Sequence, residues 1–509
     1  MKKLIKYSSA ALLAAMAVAG CNSSDISSEI WTSSTAAVGN FSLQADKKVL
    51  ANLDTVFFCI DQNAAQIFNP DSLPYGTTVK KLVPNITPID LASAITLTYK
   101  TDKGQDTTVN YVTNSTDSIN FANGPVKLAI TSYDKVLTRE YTVKVNVHTV
   151  KPDSMAWSRA ANRSLPSIFN VPNSQSTART DKGFYCLTSY QGNYCMAFAE
   201  DPNQKDWHKE TATIPSGAHA ESFIGSEDKL YILADDGIND GKFAVYESTD
   251  SKTWTKLPYR VYSLIGAYGK RLLGTIPVGE KWFICDLSDG STTEMPSGMP
   301  VEGYSRPVSL SFPLSAQKLM MVIGGRCADG SFSSDVWAYD GSTWAKTSNT
   351  PLPKGFRDMC LVPFFTFNVS TTFVVTEYTT LLAFGGNNGM VNNGTVYQSR
   401  DYGMTWTEAS ELMQLPSAVP AMSQSQAYVA NQKYYSRNAD EWVEFPCDYL
   451  LPSNVNEQAW YPFMSRATKP VEEWECPFIY VFGGESAEGV LYNTIWRATI
   501  NRLLFKPLI

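Results

Sequence analysis

The feature that most constrains this chain is a repeat that starts near Trp157 and continues to the last residues. Its most regular piece is an aromatic residue, then polar residues, then proline. It reads "WSRAANRSLP" from Trp157, "WHKETATIP" from Trp207, "WTKLP" from Trp254 and "WAKTSNTPLP" from Trp344. It continues as "WTEASELMQLP" from Trp406, "WVEFP" from Trp442 and "FKP" at Phe505, and "TTEMP" puts Thr292 where a Trp would stand. Some way before several of these aromatics stands an apolar run closed by two glycines: "MMVIGG" ends at Gly325, "LLAFGG" at Gly386 and "IYVFGG" at Gly484, with "LYILADDG" as a degenerate copy. Between the two lies a third element: "AVYESTD", "DVWAYD", "TVYQSRD" and "NTIWRAT". Each unit therefore reads as strand, loop, strand, tight turn, strand, with room for one more strand in front. One such unit cannot bury both faces of its sheet, so the units must close into a ring of blades. Counting terminal elements after Trp157 predicts seven blades, with six or eight as the alternatives. Trp157 would then supply a strand that latches the first and last blades together.

The apolar-GG and V-W/Y elements resemble kelch repeats, the units of galactose oxidase-like propellers. The segment Ser399-x-Asp401-x-Gly403-x-Thr405-Trp406 resembles an Asp-box. Looser versions, "STDSKTW" and "YDGSTW", occupy the same place in other units, so this turn is expected to be scaffold rather than active site.

Residues 40–150 have a different character. Alternating or β-branched runs such as "AITLTYK", "VKLAITSY" and "YTVKVNVHTV" are punctuated by Gly, Pro, Asn and Asp, which predicts an antiparallel β-sandwich. The stretch from "NPDSLPYG" to "REYTVKVNV" resembles the Ig-like domains of Bacteroidetes surface lipoproteins. The fold class is thus all-β: an Ig-like sandwich over 40–150 and a propeller over 151–509.

Lys2, Lys3 and Lys6 precede a short apolar run that ends in Val18-Ala19-Gly20-Cys21. The run is too short for a permanent spanning helix and reads as a signal segment over 1–20. Its end resembles the bacterial lipobox, which implies cleavage before Cys21 and acylation of that residue. The Ser- and Asn-rich segment 21–39 is expected to be a tether. The implied location is the outer membrane, facing the periplasm or the cell surface. A net charge of −7 without a basic stripe makes nucleic acid an unsuitable partner, and a monomer is expected.

Three arginines recur on expected first strands, which line a propeller's channel: Arg306 in "GYSRPVSLSF", Arg357 in "KGFRDMCLV" and Arg466 in "FMSRATKPV". A planar guanidinium fork suits a carboxylate, so all three are candidate ligand contacts; the alternative is structural hydrogen bonding. No catalytic set is assigned and no cofactor is expected. The three histidines are too few and too scattered for a copper site. Asp235, Asp236, Asn239 and Asp240 could offer oxygens to calcium, though their spacing matches no EF-hand. The Cys residues lack CxxC spacing, and Cys186 and Cys195 flank an expected hairpin across which they could bond. The expectation is a non-catalytic surface protein that binds a glycan or protein through the propeller face. The competing class is a propeller enzyme, a sialidase-like hydrolase or an oxidase, which a Tyr/Glu pair beside the arginines would favour.

Overall fold

A computed structural model describes residues 34–70, 72–147, 154–311, 318–369, 375–435 and 473–501. Apart from two short 3-10 turns, every regular element among them is a β-strand. The chain divides into two compact units, essentially residues up to Asn146 and residues from Val147 onward.

The N-terminal unit holds a six-stranded sheet and a two-stranded one. Strand Val126–Ser132 shows why the larger sheet forms: Val126, Leu128 and Ile130 are fully buried while the residues between them face outward. This is the period-two pattern of a half-buried strand. Tyr141 ties the small sheet to the unit, accepting from the Val38 amide at 3.2 Å and donating to Gln62 Oε1 at 2.6 Å. The sheet is not wholly antiparallel, as the sequence suggested. Gln66–Phe68 runs parallel to Thr138–Lys144, because an early hairpin is laid against the last strand of the unit.

The second unit contains six four-stranded sheets in chain order, spanning 174–211, 218–261, 263–294, 308–346, 357–408 and 426–501. Each is an up-and-down meander. Its first strand lies innermost and packs on the first strands of neighbouring sheets, so that strand Ser174–Thr180 touches both Ala218–Gly225 and Gln426–Tyr435. The ring is therefore a β-propeller. Its core lies between blades: Val245 and Cys285 share one cluster, Leu273 and Met320 the next, Met321 and Leu381 another. The sixth blade is completed by strand Ser154–Arg159, which pairs antiparallel with Ile495–Asn501.

The described residues hold six such sheets, not the seven counted from terminal elements. Five of those elements do begin outer strands. Trp442 lies outside the described residues, between Gln426–Tyr435 and Glu473–Phe482, which are hydrogen-bonded neighbours within one blade. Phe505 lies outside the described residues, and the outer strand assigned to it is supplied by the Trp157 segment.

The glycine pairs explain how blades join. Gly324 and Gly385 both adopt φ of +68°, a left-handed conformation that favours glycine. A Cβ on Gly385 would stand 2.6 Å from the Met422 carbonyl oxygen. The close approach lets the amides of Gly325 and Gly386 donate to the carbonyls of Phe356 and Met422 in the next connection, both at 2.8 Å. At the ring closure a side chain takes over this link: Gln175 Nε2 donates to the Phe482 carbonyl at 3.1 Å.

Candidate functional site

Because strands alternate in direction, the loops between second and third strands leave the ring on the same face as the blade-to-blade connections. The channel opens there, and its mouth is built from one short motif used three times. The residue after the glycine pair (Arg326, Asn387 or Glu485) bridges to the residue that enters the blade's first strand (Glu302, Arg357 or Ser423). The next residue is left-handed each time: Gly303 at φ 67°, Asp358 at 57° and Gln424 at 55°. These three residues link blade to blade. The Asp358 amide donates to the Gly303 carbonyl at 2.8 Å, and the Gln424 amide to the Asp358 carbonyl at 3.2 Å. Asp tolerates this backbone better than most residues, and its carboxylate lies beside Arg357.

The register shows that Arg306 and Arg357 are not equivalent. The counterpart of Arg357 is Glu302, and Arg306 lies four residues further in. Arg306 crosses the channel. Its Nη2 donates to Ser176 Oγ at 2.6 Å and to the Phe223 carbonyl at 2.8 Å, joining the fourth blade to the first and second. Burial pulls its guanidinium below the ordinary value, against the opposing influence of Tyr428 and Asp358. Arg306 is thus a brace within the channel. Arg357 remains half-exposed at the mouth, 3.6 Å from Asp358 Oδ2. Arg466 lies outside the described residues, as does Cys21.

Carboxylates that the sequence reading passed over gather around Arg357. Asp358 is pushed up to about 6, chiefly by burial and further by Glu302 and Glu485, while Arg357 and Arg306 pull the other way. Glu485 is raised by burial and by Glu221, with Arg357 opposing. Arg326 is held in an ion pair by Glu302 and donates from Nη2 to the Tyr262 hydroxyl at 3.0 Å. Burial and the neighbouring Glu302 raise Tyr262 above its usual value. The signal that could have revealed this cluster is the position directly after each glycine pair.

The loop considered for calcium is neutralised from within. Arg260 reaches Asp240 Oδ2 at 2.7 Å and Asp236 Oδ1 at 2.9 Å, while Asp235 Oδ1 lies 3.2 Å from His219 Nε2. Among the described residues no group of three or more His, Cys, Asp or Glu could hold a metal ion. Cys186 and Cys195 are buried and free. The register sets Cys186 opposite Ala197 and Cys195 opposite Thr188, so the two never face each other. On the opposite face a polar cleft of about 350 Å³ is lined by Arg179, Asp181, Lys182 and Glu200. Its two cations are already spent on backbone carbonyls, Arg179 on Val429 at 3.0 Å and Lys182 on Thr249 at 2.8 Å.

The Asp-box-like turn lies far from the mouth, between the third and fourth strands of the fifth blade. Asp401 Oδ1 accepts from Ser399 Oγ at 2.8 Å and the Thr405 amide at 2.9 Å, and Trp406 Nε1 donates to the Gly403 carbonyl at 3.1 Å. An Asp takes the same kind of turn contact in four other blades, as Asp201, Asp250, Asp286 and Asp340.

Among the described residues of the propeller, large exposed apolar side chains are concentrated on the mouth's face. Tyr190, Ile238, Val278, Met390 and Val490 stand at the ends of second-to-third-strand loops in five different blades, and Met390 is 83% exposed. Among the described residues, Met404 is the one large exposed apolar side chain on the turns of the opposite face. No helix among them is long and apolar enough to cross a membrane.

Comparison with known families agrees with this architecture. Residues 151–508 match the model described as the DUF6242 beta propeller domain, and residues 32–145 match the DUF6242 N-terminal domain, a domain of unknown function. No curated protein matches the chain. With both models matched in order over most of its length, the chain belongs to the DUF6242 family, whose C-terminal part is a β-propeller.

Proposed function

We propose that this protein is a cell-surface lipoprotein, held by acyl chains on Cys21, whose kelch-type propeller binds a protein or glycan through its loop face without catalysing a reaction. The observation that carries the binding role is the ring of exposed apolar loop ends around a polar mouth. A single exposed apolar side chain is ordinary, but five at loop ends on one face of the ring offer the material of an interaction surface. Arg357 and Asp358 are the polar contacts at the centre, and Arg306 serves the scaffold. The anchor reading rests on the sequence around Cys21, where acyl chains would supply membrane adhesion without a spanning helix.

The test is a screen of the full-length protein on arrays of glycans and of surface proteins, followed by variants. Met390→Ser combined with Val391→Ser should weaken the captured ligand about tenfold, the scale of two lost apolar contacts, with unchanged melting. Full affinity in that variant and in Arg357→Ala would move the site elsewhere.

A second reading, hydrolysis of an anionic glycan, has one observation in its favour: Tyr262, Glu302 and Arg326 meet at the mouth. Against it, Arg326 is already occupied by Glu302, and burial and Glu302 raise the Tyr262 phenol, which disfavours the phenolate a nucleophile needs. Turnover of a fluorogenic sialoside that disappears in Tyr262→Phe would establish it.

A further inference from the structure

The loop face also carries information about what sits on it. The loops between second and third strands cover 191–192, 235–242, 279–280, 324–335, 388–396 and 483–494. They contain eight Asp or Glu and two Lys or Arg. One of the two basic residues, Arg326, is taken by Glu302, and the other, Lys242, lies beside Asp240. At the centre, Glu485 and Glu221 add negative charge; Glu221 lies 3.4 Å from His219 Nδ1, and Glu485 is opposed by Arg357, itself shared with Asp358. Arg260 pairs with Asp236 and Asp240, His219 with Asp235 and Lys346 with Asp335, which leaves Glu280, Asp329, Glu485 and Glu488 as the loop carboxylates without an ion pair among the described residues, on the face that carries the apolar loop ends.

This pattern selects among partner chemistries. An anionic membrane surface would be repelled by the loops, since like charges across an interface cost several kcal/mol. A neutral glycan would use the carboxylates as acceptors but would leave the aliphatic ends in Ile238, Val278 and Val490 without matching surface. A polypeptide with Lys or Arg side chains set between apolar ones answers both features. Its apolar groups cover the loop ends, and its cations meet the carboxylates.

We propose that the loop face of the propeller docks a basic, amphipathic polypeptide surface, with a lysine or arginine of the partner entering the mouth between Asp358 and Glu485. The proposal rests on the loop-face reading above and adds the partner's class. Docked in this way, the cation replaces water beside two carboxylates that have been drawn partly out of solvent, where a charge pair is stronger than at an open surface. The apolar loop ends supply the desolvated border that such a pair needs.

The experiment uses the full-length protein and three fluorescent peptides: alternating Leu and Lys, alternating Leu and Glu, and plain oligolysine of the same charge. Anisotropy titration should show the Leu/Lys peptide binding at least tenfold more tightly than either of the others. Asp358→Asn with Glu485→Gln should reduce that affinity about tenfold, as should Met390→Ser with Val391→Ser. Glu227→Gln with Asp228→Asn, on the opposite face, should leave it unchanged. Equal binding of oligolysine, or losses no larger for the mouth variants than for the opposite-face pair, would overturn the proposal as mere charge attraction. If the Leu/Glu peptide binds best and the Met390 and Val391 substitutions abolish it, the face binds but the partner class is wrong. If no peptide binds and an array ligand is lost in the mouth variants, the partner class is again refuted while the site stands. If no loop-face variant affects any ligand, the reading of the site itself fails.

Discussion

Asp358 combines three properties that each limit what can replace it. Its backbone is left-handed, its amide and carbonyl link adjoining blades, and its carboxyl is pushed up to about 6 by burial and by its acidic neighbours. In the unfolded chain an aspartate titrates near ~3.9. The folded state therefore holds the proton more tightly, and this contribution to stability is present below about pH 4 and lost as pH rises through about 6. Asp358→Asn lacks the titration. Relative to wild type it should gain about 1–2 kcal/mol between pH 4 and pH 8, a two-unit shift discounted for the water that reaches the group. Urea unfolding at several pH values measures this, and parallel pH profiles for the two proteins would refute it. The arginines teach a related point. Sequence placed Arg306 and Arg357 in one series because both were read as first-strand residues. Only the pairing with Arg326 and Asn387 shows that Glu302 is the true counterpart of Arg357, and a four-residue offset decides whether a side chain braces the channel or faces solvent. The Asp turns were more legible, because their hydrogen bonds are local and their residues adjacent in sequence. Even so, Trp406 has its indole N–H satisfied by the turn, whereas those of Trp207, Trp254 and Trp344 are buried without an acceptor. The Trp positions were plain in the sequence; that difference was not.

Among elements, the glycine pair and its strand carry the ring's connectivity. Two separable costs follow from adding a methyl group there, and three glycines resolve them. Gly394 has ordinary backbone and its nearest neighbour to an added Cβ is Ala421 at 3.7 Å, so Gly394→Ala should be nearly neutral. Gly330 has φ of +86° with nothing nearby, so Gly330→Ala should cost about 1 kcal/mol from backbone strain alone. Gly385 has both the left-handed backbone and the 2.6 Å approach to Met422 O, so Gly385→Ala should cost about 3 kcal/mol or more. Thermal denaturation of the three variants checks the order, and equal losses at Gly330 and Gly385 would mean that the contact between blades adds nothing. The same elements show where sequence reading stopped. Apolar-GG runs and outer-strand aromatics obey local rules and were found. The described residues hold six sheets, one of the two alternatives to seven; Trp442, counted as a terminal element, lies outside them between two neighbouring strands of one blade, and nothing local in its aromatic-to-proline run marks that position.

At the level of the whole molecule, closure depends on strand Ser154–Arg159. It covers Ile495, Trp496 and Ile500, Met155 is buried in the shared core, and the Arg159 guanidinium lies 3.7 Å from the centre of the Trp496 ring. Deleting 154–159 should remove about 3–5 kcal/mol, the scale of one buried side chain lost and one large ring uncovered. It should also leave an open apolar edge that associates with other copies. A lower Tm that depends on protein concentration is the expected result; an unchanged Tm would show that the sixth blade stands without its outer strand. The closure has a further consequence, for synthesis. The two paired strands are separated by 339 residues, the distance between Ser158 and Arg497. A chain that emerges N-terminus first, from the ribosome or across a membrane, carries its first propeller strand without its partner until nearly all the rest has followed. Five blades can form in order of translation, but the sixth cannot, so interrupted products keep a free sticky edge. Ring completion is then a late, long-range step, slow because distant segments must meet, and an unfinished chain is marked for chaperones and proteases by the surface it has not yet covered.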